Sequence, residues 1–353
     1  MSLPVELSLT PMLAQLEEEI PRGEGWLYEP KWDGFRALIF REAELVQIQS
    51  RNGQPLQRYF PELVQSLVEA LPERCVVDGE IIVPGEKGLD FDALLQRIHP
   101  AASRIALLAS QTPSKFVAFD LLANGDEDLR AHPFGDRRRR LERAVPGTRA
   151  VFITPQTDDP SIAASWFTRF EGAGLDGVVA KRADLPYIAG ERVMIKVKHA
   201  RTADCVVGGY RLSKDGKGVG SLLLGLYDES GVLHHVGHTS SFAAKERREL
   251  LTRLAPLEGG ESFGHGRTPG GPSRWTQGRD MSWTSLQPKL VCEVSFDHLQ
   301  GSRFRHASRF LRWRPDKPPR ECTYDQLVPV GLFSLEDVVA SGHSSSNHTA
   351  PHD

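Results

Sequence analysis

The spacing of apolar positions divides the chain into two regions of different rhythm. In the first, "WLYEPKWDGFRALIF" (26–40) and "AELVQIQSR" (43–51) predict two strands joined by the polar turn "REAE". "FPELVQSLVEALP" (60–72) places Leu63, Val64, Leu67, Val68 and Leu71 on one helical face and stops at Pro72. "CVVDGEIIV" (75–83) and "KFVAFDLL" (115–122) predict strands, with a helix around "FDALLQRIH" (91–99) between them. "GDRRRRLERAV" (135–145) predicts a helix, and "LDGVVAKR" (175–182) and "VMIKVK" (193–198) two more short strands. Strands and helices mix without regular βαβ alternation, which predicts an α+β domain over residues 1–201.

After about Arg201 the strands are short and punctuated by glycine: "DCVVGGYRL", "GSLLLGLYDESG", "VLHHVGHT" and "LVCEVSFDHL", with one helix near "AAKERRELLTRLAPL". This pattern predicts a small β-barrel over 202–328, an OB-fold being the leading candidate. The small, polar ending "ASGHSSSNHTAPHD" predicts a disordered tail over 329–353.

Composition narrows the function classes. Of 353 residues, 40% are hydrophobic and 25% charged, an ordinary soluble balance, and the net charge of −3 shows no overall basic excess. Any nucleic-acid contact must come from local clusters. Six basic and two acidic residues lie between Ile195 and Lys217, and seven basic and one acidic between Arg303 and Arg320. No apolar stretch approaches the ~20 residues of a membrane span, and "MSLPVELSLT" lacks a secretory signal. Cys75, Cys205, Cys292 and Cys322 are too scattered for a zinc knuckle or a disulfide framework, so a reducing cytoplasm is expected. No Walker-type loop occurs; "DGKGVGS" (215–221) predicts a hairpin turn instead.

Polar residues interrupt strands that otherwise read as buried: Asp78 and Glu80, Asp120, Asp176 and Lys181, and Lys196 with Lys198. Carboxylates in such strands must be paired, hydrogen-bonded or bound to metal. Lys196 and Lys198 share one face of their strand, which calls for an anion between them or for an edge strand open to water. Glu80 and Asp176 suit a hard divalent cation such as Mg²⁺. In "EPKWDGFR" the Asp-Gly pair reads as a tight turn holding Lys31, and Gly34 lets the chain pass close to a ligand. Lys31 becomes nucleophilic only where neighbouring cations lower its pKa. These groups together predict a Mg²⁺-dependent transfer of a phosphoryl group to lysine. The run Arg137–Arg140 spans a full helical turn, and solvated surface is expected for it rather than function.

In their order these motifs resemble those of the ATP-dependent DNA ligases, within the covalent nucleotidyltransferases, over about residues 11–317. The likeness is greatest to the compact two-domain bacterial kind, DNA ligase C and the ligase domain of DNA ligase D. The resemblance implies a nucleotidyltransferase domain of antiparallel sheets with helices, followed by an OB-fold barrel. It implies that Lys31 forms the lysyl-AMP, with Glu29 or its backbone near adenine and Arg36 near the ribose and the nick 5′-phosphate. From "SRNG", Arg51 would meet the AMP or the nick phosphate; from "VDGE", Glu80 would serve the ribose or a metal. Phe119 would stack on adenine, Asp176 would be a metal-site carboxylate with Lys181 nearby, and Lys196 and Lys198 would hold the α-phosphate. From "RWRPDK", Arg314, Asp316 and Lys317 would orient the pyrophosphate. The chain departs from the pattern at Asp176, where relatives usually carry glutamate, and at Met194, where they often carry tryptophan.

The implied cofactors are ATP and Mg²⁺ or Mn²⁺, and the implied partner is nicked double-stranded DNA, with a DNA-repair polymerase or primase-polymerase as a candidate protein partner. A monomer in the cytoplasm, at the nucleoid when on DNA, is expected, with a hinge near Ala200 to Asp204. Rival readings within the superfamily are an RNA ligase and an mRNA guanylyltransferase. The rival from another class is a non-catalytic OB-fold nucleic-acid-binding protein, which does not require Lys31, Glu80, Lys196 and Lys198 together.

Overall fold

The computed structural model describes residues 2–86, 88–170, 175–199, 201–264, 269, 282–297, 299–327 and 335–340. It divides into two units, Met1–His199 with Pro329–Asp353, and Ala200–Val328. The first unit holds two main sheets. One has the order Leu13–Glu17, Arg192–Lys198, Leu175–Arg182, Trp26–Trp32. The other runs Val151–Ile153, Lys115–Asn124, Arg74–Ile82, Phe35–Glu42, Leu45–Ser50. Neighbours are antiparallel except at Leu13–Glu17 with Arg192–Lys198 and Val151–Ile153 with Lys115–Asn124.

The stretch expected to form one strand is two, and its Asp-Gly pair closes no hairpin. Trp26–Trp32 pairs with Leu175–Arg182, whereas Phe35–Glu42 lies between Arg74–Ile82 and Leu45–Ser50 in the other sheet. Asp33 and Gly34 hand the chain from one sheet to the other, because each half finds its hydrogen-bond partners elsewhere. Gly34 is required by close approach: a Cβ there would meet the Ile81 carbonyl oxygen, Glu80 Cγ at 2.9 Å and Ile82 Cγ2 at 3.0 Å. The surface that crowds Gly34 is thus the neighbouring strand, not a ligand. The "REAE" turn forms as expected, with Glu42 opposite Leu45 and Ala43 in the left-handed region at φ 53°.

Helix Pro61–Ala70 buries Leu63, Leu67 and Ala70 against Ile39, Ile48, Val77 and Phe116 of the larger sheet. A second apolar cluster unites Met12, Leu38, Phe40, Val76, Leu122, Tyr187 and Met194. Strands covered on both faces, such as Arg74–Ile82 and Lys115–Asn124, read as continuous apolar runs rather than alternating ones. Part of the expected tail is ordered. Leu335–Ala340 is helical, and its Val338 is buried with Trp32, Ile82, Trp166, Phe170 and Leu175. The rest of 329–353 lies outside the described residues.

In the second unit the sheet runs Leu233–Thr239, Val219–Tyr227, Arg201–Leu212, Val291–Phe296, Arg309–Trp313. Its edges meet where Thr239 bridges Ser308, closing the barrel. Helix Ala244–Leu254 buries Leu250 and Leu254 in a core with Val206, Leu224, Val236 and Val294. The hairpin turn expected at 215–221 is present, with Ser213 N–H donating to Gly218 O. All four cysteines are buried free thiols. Among the described residues no helix is long and apolar enough to cross a membrane. The whole is α+β: a unit of two main sheets with helices, followed in the chain by a small barrel.

Candidate active site

Side chains alternate along Trp26–Trp32, so Glu29 and Lys31 share a face, and both line a cavity of about 180 Å³. Trp32 anchors the strand: its indole N–H donates to Thr154 Oγ1 at 2.8 Å, and its ring meets Phe152 edge-on. The facing strand is bulged. Its register with Trp26–Trp32 slips between Leu175 and Val178, and Gly177 takes φ 136° hard against the Val197 backbone. Bulges re-aim side chains, and here Asp176 Oδ2 sits 2.7 Å from Lys31 Nζ and 2.6 Å from Lys198 Nζ.

The cavity's cationic wall is formed by Lys31, Arg36, Arg51, Lys181, Arg192 and Lys196. Burial lowers the Lys196 pKa, and Lys198, Lys31, Arg192 and Arg51 lower it further by repulsion. A cluster of one sign around a partly desolvated lysine is a site for a polyanion. Arg192 was not picked out from the sequence. Extending the period-2 face of Lys198, Lys196 and Met194 back by one step finds it.

The remaining wall is apolar and acidic. Leu13, Ala14, Val179, Met194 and Phe119 line it, with Arg36 and Lys181 over the Phe119 ring, 4.6 and 4.7 Å from its centroid. Arg36 is clamped to buried Asp78 through two 2.6 Å bonds, and Tyr187 O–H donates to Asp78 at 2.6 Å. Burial disfavours the Arg36 charge, but Asp78 outweighs it and holds the guanidinium cationic. Glu29 is buried and ion-paired to Lys181 at 2.7 Å and Arg138 at 3.4 Å, and it also accepts from Gln156 Nε2 at 3.0 Å.

Arg138 corrects the expectation for the arginine run. Arg137 is fully buried and forks onto Asp120 through two 2.8 Å bonds, Arg138 is buried behind Glu29, and only Arg139 and Arg140 reach the surface. With a residue every ~100° around the helix, two of four consecutive arginines face the sheet, where buried carboxylates neutralise them. Asp78 and Asp120, expected to be paired, hydrogen-bonded or metal-bound, are therefore paired with arginines.

Glu80 lines the cavity, and burial pushes its carboxyl up to about 7 despite the opposing pull of Arg36 and Lys31. Asp176 joins the cavity through Lys31. Among the described residues no group of three or more His, Cys, Asp or Glu side chains is placed to hold a metal. Arg314, Asp316 and Lys317 belong to the second unit. There Arg314 contacts Asp204 at 2.9 Å and Asp316 at 2.8 Å, and Lys317 contacts Glu321 at 3.4 Å.

Fold and cavity together define a nucleotidyltransferase domain joined to an OB-fold barrel. Comparison with known proteins narrows this. The ATP dependent DNA ligase domain model matches residues 11–198, and the ATP dependent DNA ligase C terminal region model matches 215–317. DNA ligase C1 of Mycolicibacterium smegmatis is 51% identical over 349 residues, covering 96% of this chain and 99% of that protein. DNA ligase C of Mycobacterium tuberculosis is 49% identical over 356 residues, covering 96% and 99%. A solved structure from the Lig E DNA ligases, 19% identical, covers 86% of this chain and 99% of that one with a TM-score of 0.51, and shares the fold. The chain belongs to the ATP-dependent DNA ligases.

Proposed function

We propose that the protein seals nicks with a 5′-phosphate and a 3′-hydroxyl in duplex DNA, in DNA repair, through a lysyl-AMP on Lys31. The observation that carries this reading is a lysine amine 2.7 Å from Asp176, in a cavity shared with Arg51, Arg192 and Lys196. The neutral amine is the nucleophile, and Asp176, with its Oδ2 2.7 Å from Nζ, is an acceptor within reach of its proton. Lys31 Nζ forms a bond to the α-phosphorus of ATP while the bond to the β-phosphate oxygen breaks and pyrophosphate leaves. The DNA 5′-phosphate next displaces Lys31 and takes the AMP, and the 3′-hydroxyl then displaces AMP. Lys196 and Lys198 neutralise the α-phosphate, Phe119 and Glu29 receive the base, and Arg36 and Arg51 serve the ribose side and the nick phosphate. Arg314, Asp316 and Lys317 orient the pyrophosphate.

Glu80 and Asp176 fit a hard divalent cation: both are oxygen donors, and a carboxyl raised to about 7 gains from a nearby positive charge. Bound there, Mg²⁺ or Mn²⁺ would neutralise phosphate charge and compete with Lys31 for Asp176. A DNA-repair polymerase or primase-polymerase as partner, action as a monomer, and a cytoplasmic place on nucleoid DNA accord with this substrate.

The test is labelling with α-phosphate-labelled ATP and Mg²⁺. Wild type is expected to form an acid-stable protein–AMP adduct, and Lys31→Ala none. Absence of label on wild type, or label retained by Lys31→Ala, refutes the assignment; parallel GTP and NAD⁺ samples separate the enzymatic rivals.

A further inference from the structure

Two of the side chains that hold Glu29 lie outside the motifs that carry the family resemblance. Glu29 Oε1 accepts from Gln156 Nε2 at 3.0 Å and Arg138 Nη1 at 3.4 Å, and Oε2 accepts from Lys181 Nζ at 2.7 Å. Glu29 and Lys181 line the cavity, whereas Arg138 and Gln156 do not. Arg138 is itself anchored, Nη2 donating to Thr154 O at 2.6 Å and Nε to Glu142 Oε1 at 2.8 Å. A carboxylate offers about four acceptor positions. Three are filled among the described residues, which leaves one for a ligand beside the Lys181 ammonium.

We propose that Arg138 and Gln156 are positioning residues that set the choice of nucleobase by holding Glu29 immobile. This rests on the cavity's taking a nucleoside triphosphate, as proposed above. The apolar walls of Leu13, Val179, Met194 and Phe119 suit a planar base. A fixed acceptor, Glu29, next to a donor, Lys181, matches an exocyclic amine adjacent to an unprotonated ring nitrogen, the pairing edge of adenine. Guanine in the same seat sets a carbonyl oxygen against the carboxylate and a ring N–H against the ammonium, two mismatches at once. Buried polar groups left facing the wrong partner discriminate strongly. A Glu29 free to swing loses that discrimination.

The experiment measures KM and kcat of self-labelling with ATP and with GTP for wild type, Gln156→Leu, Gln156→Glu and Arg138→Lys. In Gln156→Leu the KM for ATP is expected to rise more than kcat falls, and the preference for ATP over GTP to drop about tenfold. Gln156→Glu removes the amide donor and sets a second carboxylate beside Glu29, which repels it from its seat. Its ATP preference should therefore fall at least as far as that of Gln156→Leu. Arg138→Lys keeps the charge but not the fork, and should fall between wild type and Gln156→Leu. Both Gln156 variants leave Arg138 on Thr154 and Glu142, so they carry the test if Arg138→Lys does not fold. Variants that label with the wild-type ATP-to-GTP ratio and the wild-type KM for ATP overturn the proposal while leaving Lys31 in place; an unlabelled wild type overturns both.

Discussion

One added methyl group at Gly34 tests whether the crossing between the two sheets sets the position of Lys31. In Gly34→Ala the Cβ would lie 2.9 Å from Glu80 Cγ and 3.0 Å from Ile82 Cγ2, with the Ile81 carbonyl oxygen nearer still. Ordinary contact begins at 3.4 Å, so Glu80 alone must shift by at least 0.5 Å (3.4 − 2.9), and the carbonyl is backbone within the larger sheet, which gives little. Overpacking of this kind costs about 1–3 kcal/mol, a drop in Tm of roughly 2–12 °C for a unit of this size. Gly34 stands between Lys31 and Arg36 in the chain and presses on Glu80, and these three side chains line the cavity. A misplacement of ~1 Å at a reacting group costs about 100-fold, so half that shift predicts roughly tenfold slower self-labelling at saturating ATP. Single-turnover labelling well below the melting transition, beside a thermal melt, separates the rate effect from loss of folded protein. Gly135→Ala is the control: its Cβ meets nothing closer than Ala183 O at 3.5 Å, and a helical Gly→Ala gains about 0.5–1 kcal/mol. Wild-type labelling rate and Tm in Gly34→Ala would show that the crossing does not constrain the lysine.

Further outcomes follow from the buried charges. The Glu80 carboxyl, raised from 4.5 to about 7, retains a proton in the folded state that the unfolded chain has lost. Folding stability therefore falls as pH rises through that window. Glu80→Gln should gain in Tm relative to wild type between about pH 5 and about pH 8, and parallel melting curves across that range would refute the assignment. Arg137→Ala strands Asp120 in the core and should cost about 3–5 kcal/mol, whereas Arg139→Ala, on the exposed side, should change stability by less than about 0.5 kcal/mol. Urea denaturation compares the two, and equal effects would contradict the inward placement of Arg137.

The elements legible in the sequence are those whose signal is local. The helix at Pro61–Ala70 shows in the spacing of Leu63 and Leu67, and the strand of Lys196 and Lys198 in its alternation. The buried carboxylates at Asp78 and Asp120 were visible as a demand for partners, but the partners, Arg36 and Arg137, come from other elements. That is why four successive arginines read as surface: nothing within their own helix reveals Asp120 or Glu29. The hand-over at Asp33 and Gly34 was hidden for the same reason, since Trp26–Trp32 pairs with a strand about 150 residues on. Leu335–Ala340 is too short and too close to polar sequence to announce a helix, and only the apolar ground around Trp32 and Leu175 explains its order.

The return of Val338 to the first unit makes the barrel an insertion rather than an appendage. The chain leaves for the barrel directly after the strand of Lys196 and Lys198, and comes back to a helix packed with the neighbours in sequence of Lys31 and Asp176. An appended domain can be exchanged at a single joint. This one meets the first unit twice, directly after Lys198 and again through Val338, so a graft that respects the first junction alone leaves the apolar seat beside Trp32 and Leu175 unfilled.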